Sequence, residues 1–391
     1  MVLKEINFCR FKGQKYEWAM EGKPLNNSYN QPVVFQHINL IVGKNATGKS
    51  KTINTIREFA DLLSGNLKLS QLLYHTSSYD LLFSNKEDEI SYVLEYENGK
   101  VKKELLKING IEKLQRNSGV GTMFYEKAET SLEFLMEEDK LAVSRVDTIQ
   151  QPFFEPLQNW GKTLSHYRFG GQLGKNALLR DITLIKEDKE IDLKDSEEVT
   201  EILIKGEREF GKAFIDGIIA DMDSISYSIS SIKVDKMKFI PITVFGLGVQ
   251  ENDIEDVTEQ TEMSQGMFRA LSLLIQLNFS LLSNIPSCIL IDDIGEGLDY
   301  ERSQSLIDII IKKVKDSPVQ VIMTTNDRFV MNNIPLEYWS VVHRAPKKSL
   351  FYNNQNSKDI FEEFKYTGLS NFDFLSSEFY FEGFEQSEEQ L

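Results

Sequence analysis

Residues Gly43 to Ser50 read G-K-N-A-T-G-K-S, the pattern G-x-x-x-x-G-K-S. They follow the apolar run Ile38, Leu40, Ile41, Val42 directly and precede a helix-compatible stretch. This spelling commits the chain to a strand, a tight anion-binding turn and a helix, in that order. Gly43 and Gly48 let backbone N–H groups close around phosphates, Lys49 reaches the β- and γ-phosphates, and the Ser50 hydroxyl can ligate Mg²⁺. Asn45 and Lys51 complete the residues expected to touch a bound nucleotide.

Composition narrows the setting. With 391 residues and 41% hydrophobic content the chain can bury a large core, and its length allows two or three domains. A net charge of -16 argues against a broadly basic nucleic-acid binder, so any DNA contact must use a local patch. Cys9 and Cys288 lie in apolar strand-like runs and read as buried thiols of a reducing compartment, consistent with a cytoplasmic protein. No apolar run is long enough for a membrane span, and no signal peptide is read at the N-terminus.

The rest of the chain supplies a mixed α/β pattern. Leu3 to Phe11 and Val33 to Val42 read as strands, and a helix is expected from Ser50 to about Leu63. Residues 90–126 alternate and carry Asn98-Gly99 and Asn109-Gly110, two hairpin signals, so they predict an antiparallel lobe. Residues 127–225 read as mainly helical, with Phe210, Phe214 and Ile218 on one face. Heptads are not sustained, which excludes a long coiled coil. Strands are expected at Ile229–Val234, Phe239–Phe245 and Trp339–His343, a loop at Glu251–Glu262, and a small helix near Ile360–Phe364. The expected divisions are 1–126 and 229–369 as two halves of one head, 127–228 as a helical insertion, and 370–391 as a tail.

Two further motifs carry chemistry. Cys288 to Ile291 ends in Asp292-Asp293, the form of a buried parallel strand delivering carboxylates to its C-terminal end. Beside a phosphate loop Asp292 would hold Mg²⁺ and Asp293 would orient or deprotonate the attacking water. Upstream, Met263-Ser264-Gln265-Gly266 opens an amphipathic helix through Leu281. Ser264 can cap it, and Gly266 lets backbone approach an anion at that N-terminus.

The order of phosphate loop, Ser-Gln-Gly helix, Asp-Asp strand and Glu296-Gly297-Leu298-Asp299 resembles RecF/SMC-type ABC ATPases. The similarity covers roughly residues 1–65 and 235–345, including the F-K element at Phe11-Lys12 and the Thr324-Thr325-Asn326-Asp327 stretch. It implies a P-loop ABC-type ATPase head with a mixed central sheet, using ATP and Mg²⁺. In that family two heads sandwich ATP, so Ser264 and Gly266 would touch the partner's nucleotide, Glu296–Asp299 would be the D-loop, and a homodimer would form the active site. Departures are specific. Ala46 replaces a common glycine, which the loop accepts if φ is negative there. Lys12 replaces a nucleotide-holding arginine. Asp293 replaces the usual catalytic glutamate and is one methylene shorter, which predicts slow turnover. No histidine follows the last core strand, and the Q-loop glutamine is open among Gln150, Gln151 and Gln172.

Standalone heads of this kind resemble ATPase components of bacterial anti-phage systems and the ATPase heads of OLD-family proteins. Too little chain follows the core for a Toprim domain, and His37, His75, His166 and His343 match no nuclease or zinc spacing, so an effector or nuclease is expected in trans. Rival readings are a RecF-like repair factor and an ATP-gated scaffold with little turnover. Lys100, Lys102, Lys103, Lys107, Lys113 and Arg116, opposed by Glu104 and Glu112, form either a solvated face or a DNA surface. The tail interleaves Phe372, Phe374, Phe379, Tyr380, Phe381 and Phe384 with acids that include Glu378, Glu385, Glu388 and Glu389. It is read as packing on its own head, docking on another protein, or remaining disordered.

Overall fold

The computed structural model describes residues 1–25, 29–171, 174–180, 191–195, 197–238, 240–285 and 287–383. Gln172, Phe239, Phe384, Glu385, Glu388 and Glu389 lie outside the described residues. The chain forms two compact units, residues 1–164 with 335–391, and residues 165–334.

The first unit begins with β1 (Val2–Arg10), β2 (Trp18–Leu25), β3 (Tyr29–Gln31), β4 (Val33–Val34) and β5 (Ile38–Val42), followed by α1 (Lys49–Ser64). An antiparallel meander follows: β6 (Ser77–Asn85), β7 (Asp88–Glu97), β8 (Lys100–Ile108), β9 (Ile111–Asn117), β10 (Val120–Tyr125) and β11 (Thr130–Leu135), and then α2 (Glu155–Thr163). The second unit holds β12 (Ser165–Arg168), α3 (Val199–Phe210), α4 (Lys212–Ser224), β13 (Ile229–Lys236), β14 (Phe245–Glu251), β15 (Thr258–Glu259), α5 (Gln265–Ser283), β16 (Ser287–Asp292), α6 (Tyr300–Val314), β17 (Val319–Thr324) and α7 (Arg328–Asn333). The chain returns to the first unit with β18 (Trp339–Ala345), β19 (Lys348–Asn353), α8 (Lys358–Phe364), α9 (Asn371–Ser376) and α10 (Phe379–Glu382).

In the first unit the strands run β11-β10-β9-β8-β7-β6-β1-β2-β19-β18-β5. Pairing is antiparallel from β11 to β2, while β2 with β19 and β18 with β5 are parallel. The meander turns where its dipeptides demand: Asn98 and Gly99 have φ of 52° and 71°, Asn109 and Gly110 have 52° and 77°. Two successive positive φ angles match the right-handed twist of a hairpin, and Asn-Gly supplies them at least cost. β5 is buried along its whole length, as a strand covered on both faces requires. In the second unit β12 and β17 flank β16, both parallel to it. β13, β14 and β15 form a separate antiparallel sheet.

Several expectations need correction. Val33–Val42 is broken into β4 and β5. Among the described residues of 127–225, α-helix is confined to α2, α3 and α4, with short 3-10 turns at Ala142–Ser144 and Pro152–Phe154, and the range also contains the strands β11 and β12. The strand expected at Phe239–Phe245 starts at Phe245 and continues to Glu251, and the acidic stretch after it includes the short β15. Cys288 is buried and Cys9 half-buried, and burial pushes both thiols up from their ordinary value. Helix α5 is the one described helix long and apolar enough to cross a membrane, but 83% of that stretch is buried in the protein. It is the central core helix of its unit, and with 19 residues it is too short for a coiled-coil arm.

Candidate functional site

The phosphate loop is built by β5, α1 and the strand β18 beside them. A Cβ on Gly43 would stand 2.7 Å from the Val342 carbonyl oxygen and 2.8 Å from Thr47 Oγ1, so only glycine fits. Gly48, at φ 116°, turns the chain into α1, which starts at Lys49. The Thr47 hydroxyl donates to the Lys44 carbonyl at 2.9 Å. Lys49 lies back over the loop, donating from Nζ to the Gly43 carbonyl at 2.7 Å and to that of Lys44 at 3.2 Å. The outer wall is Trp18: its Nε1 donates to Ser349 Oγ at 3.2 Å, and that hydroxyl donates to the Thr47 carbonyl at 2.6 Å. Asn45, Ser50 and Lys51 are exposed along the mouth, and Lys12 is exposed in the loop after β1. Ala46 has φ 64°, so the negative value on which its tolerance was expected to rest is not met. The loop keeps an alanine in the left-handed region, which costs strain.

Arg10 escaped the sequence reading. Its guanidinium lies 3.8 Å from the Tyr74 ring centroid and 5.4 Å from that of Trp18, and the Lys51 ammonium lies 5.3 Å from the same indole. Burial, then the charges of Arg10 and Arg344, lower the Lys51 pKa. The available signal was strand alternation: Phe8 and Arg10, two apart on β1, both meet Trp18.

The second unit assembles the carboxylates. β16 ends at Asp292, whose Oδ1 accepts the Thr324 hydroxyl at 2.5 Å. The Asp293 N–H donates to Thr324 Oγ1 at 2.9 Å, and Asn326 Nδ2 donates to Asp293 Oδ1 at 3.0 Å. Asp293 itself is in the left-handed region, φ 57°. Thr324 at the end of β17 and Asn326 just after it therefore hold both aspartates, while the Thr325 hydroxyl donates to the Ile294 carbonyl at 2.9 Å. The described residues contain no cluster of three or more His, Cys, Asp or Glu side chains arranged for a metal. Within this unit Asp292 offers oxygen donors only, the donor type that Mg²⁺ takes, an ion that uses one or two protein ligands and completes its shell with water and phosphate.

In the same unit Ser264 caps α5, accepting the Met267 N–H at 3.1 Å. A Cβ on Gly266 would stand 2.8 Å from the Gly297 carbonyl oxygen, so its bareness lets the Glu296–Asp299 loop approach the helix. Arg269, one turn on, donates to the carbonyls of Glu296 at 2.7 Å and Gly170 at 3.1 Å. One side chain thus ties the helix to that loop and to the segment after β12. Asp299 caps α6 through the Arg302 N–H and pairs with the Arg302 side chain. That backbone donor is the main cause holding the Asp299 carboxyl below the usual range. Arg302 also lies 4.4 Å from the Tyr227 ring centroid.

Asp292, Asp293, Ser264, Gly266 and Asp299 thus belong to one unit, and Lys12, Gly43, Asn45, Gly48, Lys49, Ser50 and Lys51 to the other. Gln150 and Gln151 precede α2 in the first unit. The segment leaving β12 passes beside Asp293, since a Cβ on Gly170 would be 3.3 Å from Asp293 Cβ. The basic cluster is balanced by more carboxylates than Glu104 and Glu112. Lys100 faces Glu138 at 3.5 Å, Lys102 faces Glu97 at 3.7 Å, Lys103 faces Glu95 at 4.0 Å and Lys113 faces Glu126 at 3.7 Å. Lys107 stands opposite Glu112 in the β8–β9 register, and Arg116 is fully buried against Glu104.

No protein-family model and no curated protein matches this sequence. Solved structures do. An SMC head bound to the C-winged helix domain of ScpA aligns over 90% of this chain and 97% of its own, with TM-score 0.52 and 14% identity. The Smc head with an extended coiled coil from Pyrococcus furiosus, bound to the C-terminal domain of ScpA, aligns over 93% and 99%, with TM-score 0.51 and 15% identity. The chain shares the mixed α/β fold of these SMC heads, and no long coiled coil occurs among the described residues.

Proposed function

We propose that this chain binds ATP with Mg²⁺ and hydrolyses it slowly as a homodimeric switch. The observation that carries the reading is the Asp292-Asp293 pair gripped by Thr324 and Asn326 in the same unit as the Ser264 helix cap and the Asp299 loop. Lys49, Gly43, Asn45 and Gly48 would bind phosphate, with Lys49 exchanging its loop carbonyls for phosphate oxygens. Ser50 and Asp292 would hold Mg²⁺, which supplies charge neutralisation at the phosphates. Asp293 would orient water and accept its proton. Ser264 and Gly266 would meet nucleotide bound by a second copy, which makes activity depend on dimerisation. Lys12, Lys51 and Arg10 supply cationic charge at the mouth.

The resemblance to heads of anti-phage systems makes a separate protein effector or nuclease the partner class of this reading. The SMC heads to which the chain is similar were solved with a ScpA domain bound, and a protein partner is proposed here by analogy. DNA contact through Lys100, Lys102, Lys103 and Lys107 ranks below it, because three of these lysines already face carboxylates.

Phosphate release should be measured across protein concentrations, beside light scattering with and without ATP. Specific activity should rise with concentration, Lys49→Ala should lose binding, and Asp293→Asn should accumulate an ATP-dependent dimer. Turnover independent of concentration would refute the shared site. Binding and assembly without turnover would leave a scaffold, and strong stimulation by duplex DNA would point to a repair factor.

A further inference from the structure

The C-terminal segment reaches the phosphate loop. Lys44, the second residue of that loop, pairs with Glu378 of the turn between α9 and α10. The Lys44 carbonyl accepts both the Thr47 hydroxyl and Lys49 Nζ, so its position is tied to the loop. Glu378 has φ 59°, a left-handed conformation disfavoured for glutamate, and it aims the carboxylate at the loop from a tightly held turn. Its carbonyl accepts the Phe381 N–H at 2.8 Å.

The docking strand is the one that backs the phosphate loop. Val342 abuts Gly43, and the next residue, His343, carries α10. Its Nδ1 lies 3.1 Å from the Tyr380 hydroxyl, and its ring stacks on Phe381 at 4.9 Å with the planes 9° apart. Further back, α9 is anchored: Phe374 is fully buried and packs on Trp339, Phe361 and Phe364. The segment is thus fixed at α9 and through the buried Tyr380 of α10, which packs on Tyr352, while what touches the loop itself is an exposed ion pair, a contact of the weak kind.

We propose that this last turn is a latch on the phosphate loop: Glu378 and nucleotide phosphate compete for Lys44, so that tail docking and nucleotide binding oppose each other. The proposal rests on the nucleotide reading of the loop. Lys44 cannot neutralise two anions with one ammonium, and a carboxylate held beside phosphate charge is repelled by it. A ligand that binds better to the undocked form shifts the segment toward that form, and removing Glu378 removes the competition.

The test titrates the full chain with a fluorescent ATP analogue, comparing wild type with Glu378→Gln, and follows hydrogen exchange of residues 377–383 with and without the analogue. Loss of an exposed competing pair should tighten binding about two- to fivefold. Bound nucleotide should speed exchange of that segment in the wild type while α9 stays protected. Equal affinities, or exchange unaltered by a nucleotide that demonstrably binds, overturn the latch and leave the nucleotide reading standing. Absence of binding in both proteins overturns the nucleotide reading and the latch with it.

Discussion

In the antiparallel lobe Glu104 and Arg116 are both fully buried. Arg116 Nη1 donates to Glu104 Oε2 at 3.3 Å and to the Lys140 carbonyl at 2.8 Å, Nη2 to the Glu137 carbonyl at 2.6 Å, and Nε to that of Ser118 at 2.5 Å. Glu104 also accepts the Tyr92 hydroxyl at 3.0 Å and the N–H groups of Ala142 and Val143 at 2.9 and 3.0 Å. The pair is a clasp that pins residues 137–143 to the sheet. Arg116→Met keeps the apolar bulk but strands a buried carboxylate and removes the donor from three carbonyls, a loss of about 3–5 kcal/mol. The double variant Glu104→Leu/Arg116→Met is the sharper test. An isolated buried pair can often be replaced by apolar side chains at no cost. Here five backbone groups depend on it, and at roughly 1–3 kcal/mol for each one left buried and unpaired the double variant should also lose several kcal/mol. Thermal unfolding and hydrogen exchange over 137–143 measure both. A double variant as stable as wild type, with that segment equally protected, would refute the clasp.

Asp293→Asn should lower turnover by roughly 10²–10⁴-fold, as loss of a general base does, while nucleotide binding by equilibrium titration stays intact. Asn326→Ala should reduce turnover less, because it frees the carboxylate without removing it. Asp299→Ala removes the α6 cap and should cost about 1 kcal/mol by thermal unfolding. Since the folded-state pKa of Asp299 is depressed, its contribution is present above the ordinary carboxylate value and is lost as pH falls through the depressed one. The gap between wild type and variant should close over that window. Ala46→Gly relieves a left-handed alanine worth roughly 1–2 kcal/mol but loses about 0.4–1 kcal/mol through a freer unfolded chain, so a small rise in melting temperature is expected.

The parts legible in the sequence are those where backbone geometry dictates residue type. Gly43 and Gly48 are forced by a 2.7 Å approach and a φ of 116°, and the Asn-Gly turns by paired positive φ angles. The apolar runs of β5 and β16 were legible because strands covered on both faces are mostly apolar, the buried Asn39 of β5 being satisfied by the Gln36 backbone. What was missed lacks such a signature. β12 reads Ser-His-Tyr-Arg, with a serine and a histidine buried without alternation. β14 reads Phe-Gly-Leu-Gly-Val, and the strand was expected to end at Phe245, before its two glycines. In the structure they make room for neighbours, Leu178 Cδ2 standing 2.7 Å from where a Gly246 Cβ would be and Val257 Cγ1 2.8 Å from that of Gly248. Of the carboxylate partners of the basic cluster, Glu95 and Glu97 lie close in sequence on β7, whereas Glu138 meets Lys100 only after the chain has returned along β11.

Asp293 joins the sequence's clearest departure to the structure's clearest strain. A glutamate after the strand could reach a water with its extra methylene and needs little from its backbone. An aspartate is shorter, so the backbone must bring it forward, and a left-handed turn at φ 57° is one way for the chain to do so. Aspartate is among the few residues that tolerate this conformation. Held there by Asn326 at the carboxylate and by Thr324 at the N–H, it has lost the freedom that would otherwise blur its aim. Restoring glutamate at this position is therefore not a gain in reach: the longer side chain would start from the same turn, overshoot Asn326, and place a larger residue in a strained conformation. Thr324 and Asn326 thus fix the position from which the shorter carboxylate works in the proposed reaction.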